Sequence, residues 1–101
     1  MNKRHSTISP VHPGEILRKD AFPALNVTKP VLAESLGISR QTLHDIMTTK
    51  RAVTPEMAVR LEAVVGSTAE TWLALQAAYD LWQARKTVQV KGLKKLASAS
   101  A

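Results

Sequence analysis

The chain contains no cysteine, which excludes a disulfide framework and any thiolate metal site. That absence fits a reducing compartment without excluding an oxidising one. Aromatic residues are scarce, with one Phe, one Tyr and two Trp in 101 residues. No apolar run approaches the roughly 20 residues that a membrane helix needs, and no signal-type apolar stretch follows the basic start. A cytoplasmic protein is therefore expected. His5, His12 and His44 do not fall at metal-ligand spacings, and no histidine has a serine partner in a nucleophile–base arrangement. The expectation is no metal, no cofactor and no enzymatic chemistry.

Acidic residues run out at Asp80, and this changes how the net charge of +6 should be read. Arg85, Lys86, Lys91, Lys94 and Lys95 all lie beyond it and supply five of the six excess charges. The basic pI is thus largely a property of the tail. Such a run is ordinarily a solvated segment, and contact with a polyanion is its alternative reading.

What the chain does have is helical punctuation. A hydrophobic fraction of 45% suffices for one modest core. Residues 1–10 read as a flexible leader, 11–86 as the folded domain and 87–101 as a basic, mobile tail. A first helix starts near Pro13, draws apolar contacts from Ile16, Leu17 and Phe22, and is expected to end at Pro23. Thr28 caps a second helix, Lys29–Leu36. A third runs from Arg40 to Thr48. Thr54-Pro55-Glu56 opens a fourth with a cap, a proline at the first position and an acid favoured by the dipole. Its stripe is Met57, Ala58, Leu61, Val64 and Val65, and Gly66 ends it. Ser67 or Thr68 caps a fifth helix of about 17 residues. Thr87–Val90 reads equally as a short strand or a frayed end. The fold class expected is all-α, with five helices around a central helix-turn-helix.

The segment KPVLAESLGISRQTLHDIMT carries the chemistry. Small Ala33 allows a neighbouring helix to approach, Gly37 suits a left-handed helix end, Ile38 plugs the corner and Ser39 caps the third helix. Leu43, Ile46 and Met47 share one face. The other face holds Arg40, Gln41, His44, Asp45 and Thr48, hydrogen-bonding types suited to the major groove. Arg can donate twice to guanine and Gln can bond both edge groups of adenine. Ser39 and Thr42 can reach phosphates with their hydroxyls, and Lys29, Lys50 and Arg51 add charge along the backbone. His44 reads as a neutral polar contact. Asp45 has three readings: an acceptor for cytosine, a partner for Gln41 one turn back, or a solvated acid. Trp72, Tyr79 and Trp82 recur on one face of the fifth helix. Core packing and self-association are the readings for them, ahead of base stacking.

Four stretches carry a resemblance: His12-Pro13-Gly14-Glu15-Ile16-Leu17, Leu36–Thr42, Thr54–Leu61, and Trp72–Trp82 with its W-L-x-L-Q-x-x-Y-D-L pattern. Over Val11–Arg85 the sequence resembles the HigA-type antitoxins of toxin–antitoxin modules, within the phage-repressor-like, or XRE, helix-turn-helix group. The resemblance implies a homodimer that binds a palindromic operator upstream of its own operon. It also implies a small HigB-type partner toxin, an mRNA-cleaving ribonuclease, held inactive by protein–protein contact. Carried over by position, Ser39, Arg40, Gln41 and Thr42 would contact DNA, with Lys50 and Arg51 on phosphate. Lys29 departs from the glutamine that many relatives carry there, which keeps a phosphate contact but not a bracing role. Ala69 stands where relatives often have proline. The alternative is a stand-alone phage-type repressor without a toxin.

Overall fold

The computed structural model describes residues 9–96. The first eight residues of the expected leader and residues 97–101 of the tail lie outside the described residues. Among the described residues there are five helices and no strand. Thr87 closes the last helix, with the Val88 N–H bonded to the Ala84 carbonyl, and Val88 is extended, so the strand reading of Thr87–Val90 does not hold.

Helix α1 consists of three consecutive stretches: Pro13–Ile16, a π-helical stretch Leu17–Ala21, and Phe22–Leu25. His12 caps it, its Nδ1 accepting the Gly14 N–H at 2.9 Å. Pro23 does not end the helix as expected. Within regular α-helix a proline ring strikes the carbonyl four residues back. Here the wider π turn precedes it, with the Phe22 N–H bonded to the Leu17 carbonyl, and the chain stays helical to Leu25. Asn26, at φ 55°, is the left-handed residue that stops it.

Helix α2, Lys29–Leu36, is capped by Thr28 and ends in a Schellman arrangement. The Gly37 N–H bonds the Glu34 carbonyl and the Ile38 N–H bonds the Ala33 carbonyl, both at 3.0 Å. Gly37 has φ 74°, the left-handed conformation expected at its position. Helix α3, Arg40–Met47, starts at Ser39, whose Oγ accepts the Thr42 N–H at 3.0 Å. Helix α4, Pro55–Val64, is capped by Thr54, and α5, Ala69–Thr87, by Thr68.

The core unites Leu17, Leu32, Ala33, Leu36, Leu43, Ile46, Met47, Val53, Met57, Ala58, Leu61 and Trp72. Val64, Val65, Ile38 and Phe22 pack at its edge, half-buried. The apolar face of α3 is therefore spent inward. Its polar face is left outside, on a helix held by α1 and α2.

Candidate nucleic-acid interface

Contacts at both ends fix α3 in place. Gly14 of α1 lies against the Ile46 carbonyl so closely that a Cβ there would overlap that oxygen. Arg18 Nε then donates to the Met47 carbonyl at 3.1 Å, satisfying an unpaired acceptor at the C-terminus of α3. At the other end, Arg60 Nη1 donates to the Leu36 carbonyl at 2.9 Å and reaches the Gly37 carbonyl at 3.4 Å. Glu56 holds the same guanidinium at 2.8 Å. The turn between α2 and α3 is thus clamped from α4.

With α3 held this way, Arg40, Gln41 and His44 are exposed on its outer face, and Thr42 and Asp45 are half-buried. Gln41 Nε2 donates to Asp45 Oδ1 at 2.8 Å. The pairing of Asp45 with Gln41 is thus formed, and the half-buried carboxylate is not a simply solvated acid. The other carboxylate oxygen lies 3.9 Å from the Arg51 guanidinium. The Asp45 backbone carbonyl accepts the N–H groups of Lys50 and Arg51 at 2.8 and 3.1 Å. Asp45 therefore joins Gln41 to the cationic turn after α3, where Thr49 is left-handed at φ 65°.

The remaining candidates divide. Ser39 Oγ, besides capping α3, donates to Thr42 Oγ1 at 2.9 Å, so these two hydroxyls form one pair. Thr42 and Arg51 line a shallow depression with Ile38, Thr54, Glu56 and Arg60. Arg40 and Ser39 border a second one with Pro30, Ala33 and Glu34 of α2. Lys29 is exposed at the first position of α2, and Lys50 is exposed in the turn.

The aromatic face of α5 does not stay together. Trp72 is 3% exposed, and its Nε1 donates to the Gly66 carbonyl at 2.9 Å. It belongs to the core of a single copy, which corrects its assignment to a surface for self-association. Tyr79 and Trp82 remain half-buried, with ring centroids 6.3 Å apart and Lys86 Nζ 4.0 Å above the indole. Tyr79 also meets His12 edge-on at 5.0 Å.

Gln76 enters the sequence pattern of α5 without a role, yet it is 5% exposed and accepts the Val53 N–H at 2.8 Å. Its amide nitrogen donates to Asp80 at 2.9 Å. The spacing W-x₃-Q-x₂-Y-D thus places one anchor per turn: Trp72 on Gly66, Gln76 on Val53 and Tyr79 on His12. Burial pushes the His12 imidazole below its ordinary value of 6.5, with Asp80 and Glu15 partly offsetting it. The hydrogen bond from Lys19 lowers the exposed Glu15 carboxyl.

Among the described residues no group of histidines and acids could hold a metal ion, and no helix is long and apolar enough to cross a membrane. No family model matches the chain. Individual relatives do. The uncharacterized HTH-type transcriptional regulator YddM of Escherichia coli (strain K12) is 40% identical over 84 residues, covering 83% of this chain and 88% of that one. Antitoxin HigA-1 of Vibrio cholerae serotype O1 is 35% identical over 80 residues, covering 79% and 75%. The solved structure of Pseudomonas aeruginosa antitoxin HigA with higBA promoter superposes with a TM-score of 0.79 at 32% identity, covering 85% of this chain and 96% of that one.

Proposed function

The chain belongs to the HigA family of antitoxins among the XRE-type helix-turn-helix regulators, and on that premise we propose that it binds the operator of its own operon and neutralises a HigB-type ribonuclease toxin. It acts as a homodimer that lays α3 of each copy into successive major grooves of a palindromic site, about 34 Å apart or a multiple of that spacing. Arg40 and Gln41 read base edges from the first turn of α3. Ser39, Thr42, Lys29, Lys50 and Arg51 hold the phosphate backbone, and His44 lies alongside as a polar contact. Neutralisation is by protein–protein contact with the toxin.

One observation carries the DNA-binding part. Leu43, Ile46 and Met47 are each 1% exposed, while Arg40 and Gln41 stand on the opposite, open side of a helix clamped at both ends. A relative solved with its promoter has this architecture.

The test is comparative binding. Arg40→Ala should lower affinity for the upstream inverted repeat far more than affinity for random duplex. Equal losses on both would remove base reading. For the antitoxin part, co-expression with the neighbouring small open reading frame should restore growth and yield a co-purifying complex. Failure of both leaves the stand-alone repressor reading.

A further inference from the structure

An acid occupies a surface proposed to face phosphates. Asp45 sits half-buried in the last turn of α3, one turn after Gln41 on the outer side, where a carboxylate is repelled by nucleic acid. Its geometry shows how it is tolerated. Arg51 lies 3.9 Å from one oxygen, and the backbone of residues 50 and 51 folds back onto the Asp45 carbonyl. Thr48 Oγ1 approaches the same carbonyl at 3.4 Å and donates to that of His44 at 2.8 Å. The residue is thus seated in the helix end, with its second oxygen turned to Gln41.

That second oxygen decides which way the Gln41 amide points. An ionised carboxylate only accepts hydrogen bonds, so at 2.8 Å it must meet the NH₂ of Gln41 and not the amide oxygen. One of the two amide protons is thereby consumed. Gln41 is left with one donor beside one acceptor. Adenine presents the complement in the major groove, an N7 acceptor beside an N6 donor. Guanine presents two acceptors, N7 and O6, and matching both takes two donors. A free glutamine could turn its NH₂ toward such a pair, whereas one tethered to a carboxylate cannot supply both protons.

We propose that Asp45 sets the base specificity of this helix, committing Gln41 to adenine over guanine by taking one of its amide protons. Asp45 acts through Gln41 and is a positioning residue. The inference rests on the proposed reading of operator DNA by α3.

The experiment is selection of bound sequences from duplexes with a randomised core, using the full-length protein and the variants Q41A, D45A and D45N. Q41A identifies the position that Gln41 reads, as the one whose preference disappears. At that position the unmodified protein should favour adenine, and D45A and D45N should cut the adenine-to-guanine ratio roughly tenfold, the scale of one good bidentate contact. Preferences at positions read by Arg40 should persist. The amide introduced by D45N can either donate to or accept from Gln41, so this variant preserves size while losing the constraint. A merely structural role would instead lower binding to all sequences alike, with the ratio intact, and that result overturns the proposal. Unchanged ratios in both Asp45 variants overturn it too, as does a Q41A profile without an altered position. If the unmodified protein selects no sequence at all, operator reading itself falls and this inference with it.

Discussion

Gly14 and Ile46 meet backbone to backbone, the first turn of α1 lying on the last turn of α3 with no space for a side chain between them. The contact explains why a glycine follows His12-Pro13 in a helix that would otherwise prefer alanine. Gly14→Ala should force α1 away from α3 at a cost of about 3 kcal/mol, the upper end of ordinary overpacking. A melting temperature lower by roughly 10–20 °C is expected for a domain this size. Gly92→Ala is the control, since a Cβ there meets nothing within 4 Å, and it should leave the melting temperature unchanged.

Gln76 offers a second test of how α5 supports the reading head. Its Oε1 is the partner of the buried Val53 N–H, in the segment that follows α3. Gln76→Leu keeps the volume but strands that donor, which costs about 1–3 kcal/mol. Chemical denaturation should show this as a lower midpoint with an unchanged slope. A neutral result would mean that the 53 region moves to find another acceptor.

The buried His12 gives the stability a pH dependence of defined sign. Its folded-state pKa lies below the ordinary 6.5, chiefly through burial, so the folded protein favours the neutral ring. The contribution is therefore complete above 6.5 and is lost as pH falls from there toward the lowered folded value, because the unfolded chain takes up the proton first. Asn is a strong helix cap that does not titrate in this range. The stability of wild type relative to His12→Asn should accordingly fall between about pH 7.5 and pH 5.5. Thermal melts of both proteins across that range check it, and a constant difference would refute it.

Most of the scaffold is legible in the sequence because local chemistry dictates it. Thr28, Ser39, Thr54 and Thr68 each cap a helix, and Gly37 takes the left-handed turn its position demands. The departures have a different origin. The rule that stops a helix at Pro23 belongs to regular α-helix, and a π turn upstream removes the clash behind that rule. Gln76 is invisible to apolar periodicity, since a polar side chain inside a core is recognisable only once its partners Val53 and Asp80 are in place. In the site, the outward set from Arg40 to Thr48 follows from the spacing of Leu43, Ile46 and Met47. The second partner of Asp45 does not, because it depends on where the chain turns after Thr48 and brings Arg51 back.

The two tryptophans of α5 should separate when each is removed. Trp72 fills the core and gives its indole proton to Gly66, so Trp72→Ala is expected to cost about 3–5 kcal/mol and to unfold much of the domain. Trp82 is half-buried beside Tyr79 and beneath the Lys86 ammonium, where it supports little of the monomer's own core. If the proposed homodimer uses this face, Trp82→Ala should leave the circular dichroism spectrum intact while shifting sedimentation toward the monomer. Operator affinity should then drop together with dimerisation, because one recognition helix must release the groove whenever its partner is absent. A Trp82→Ala protein that still sediments as a dimer would move the contact elsewhere. The exposed Leu81, Val88 and Val90 then become the next apolar side chains to remove.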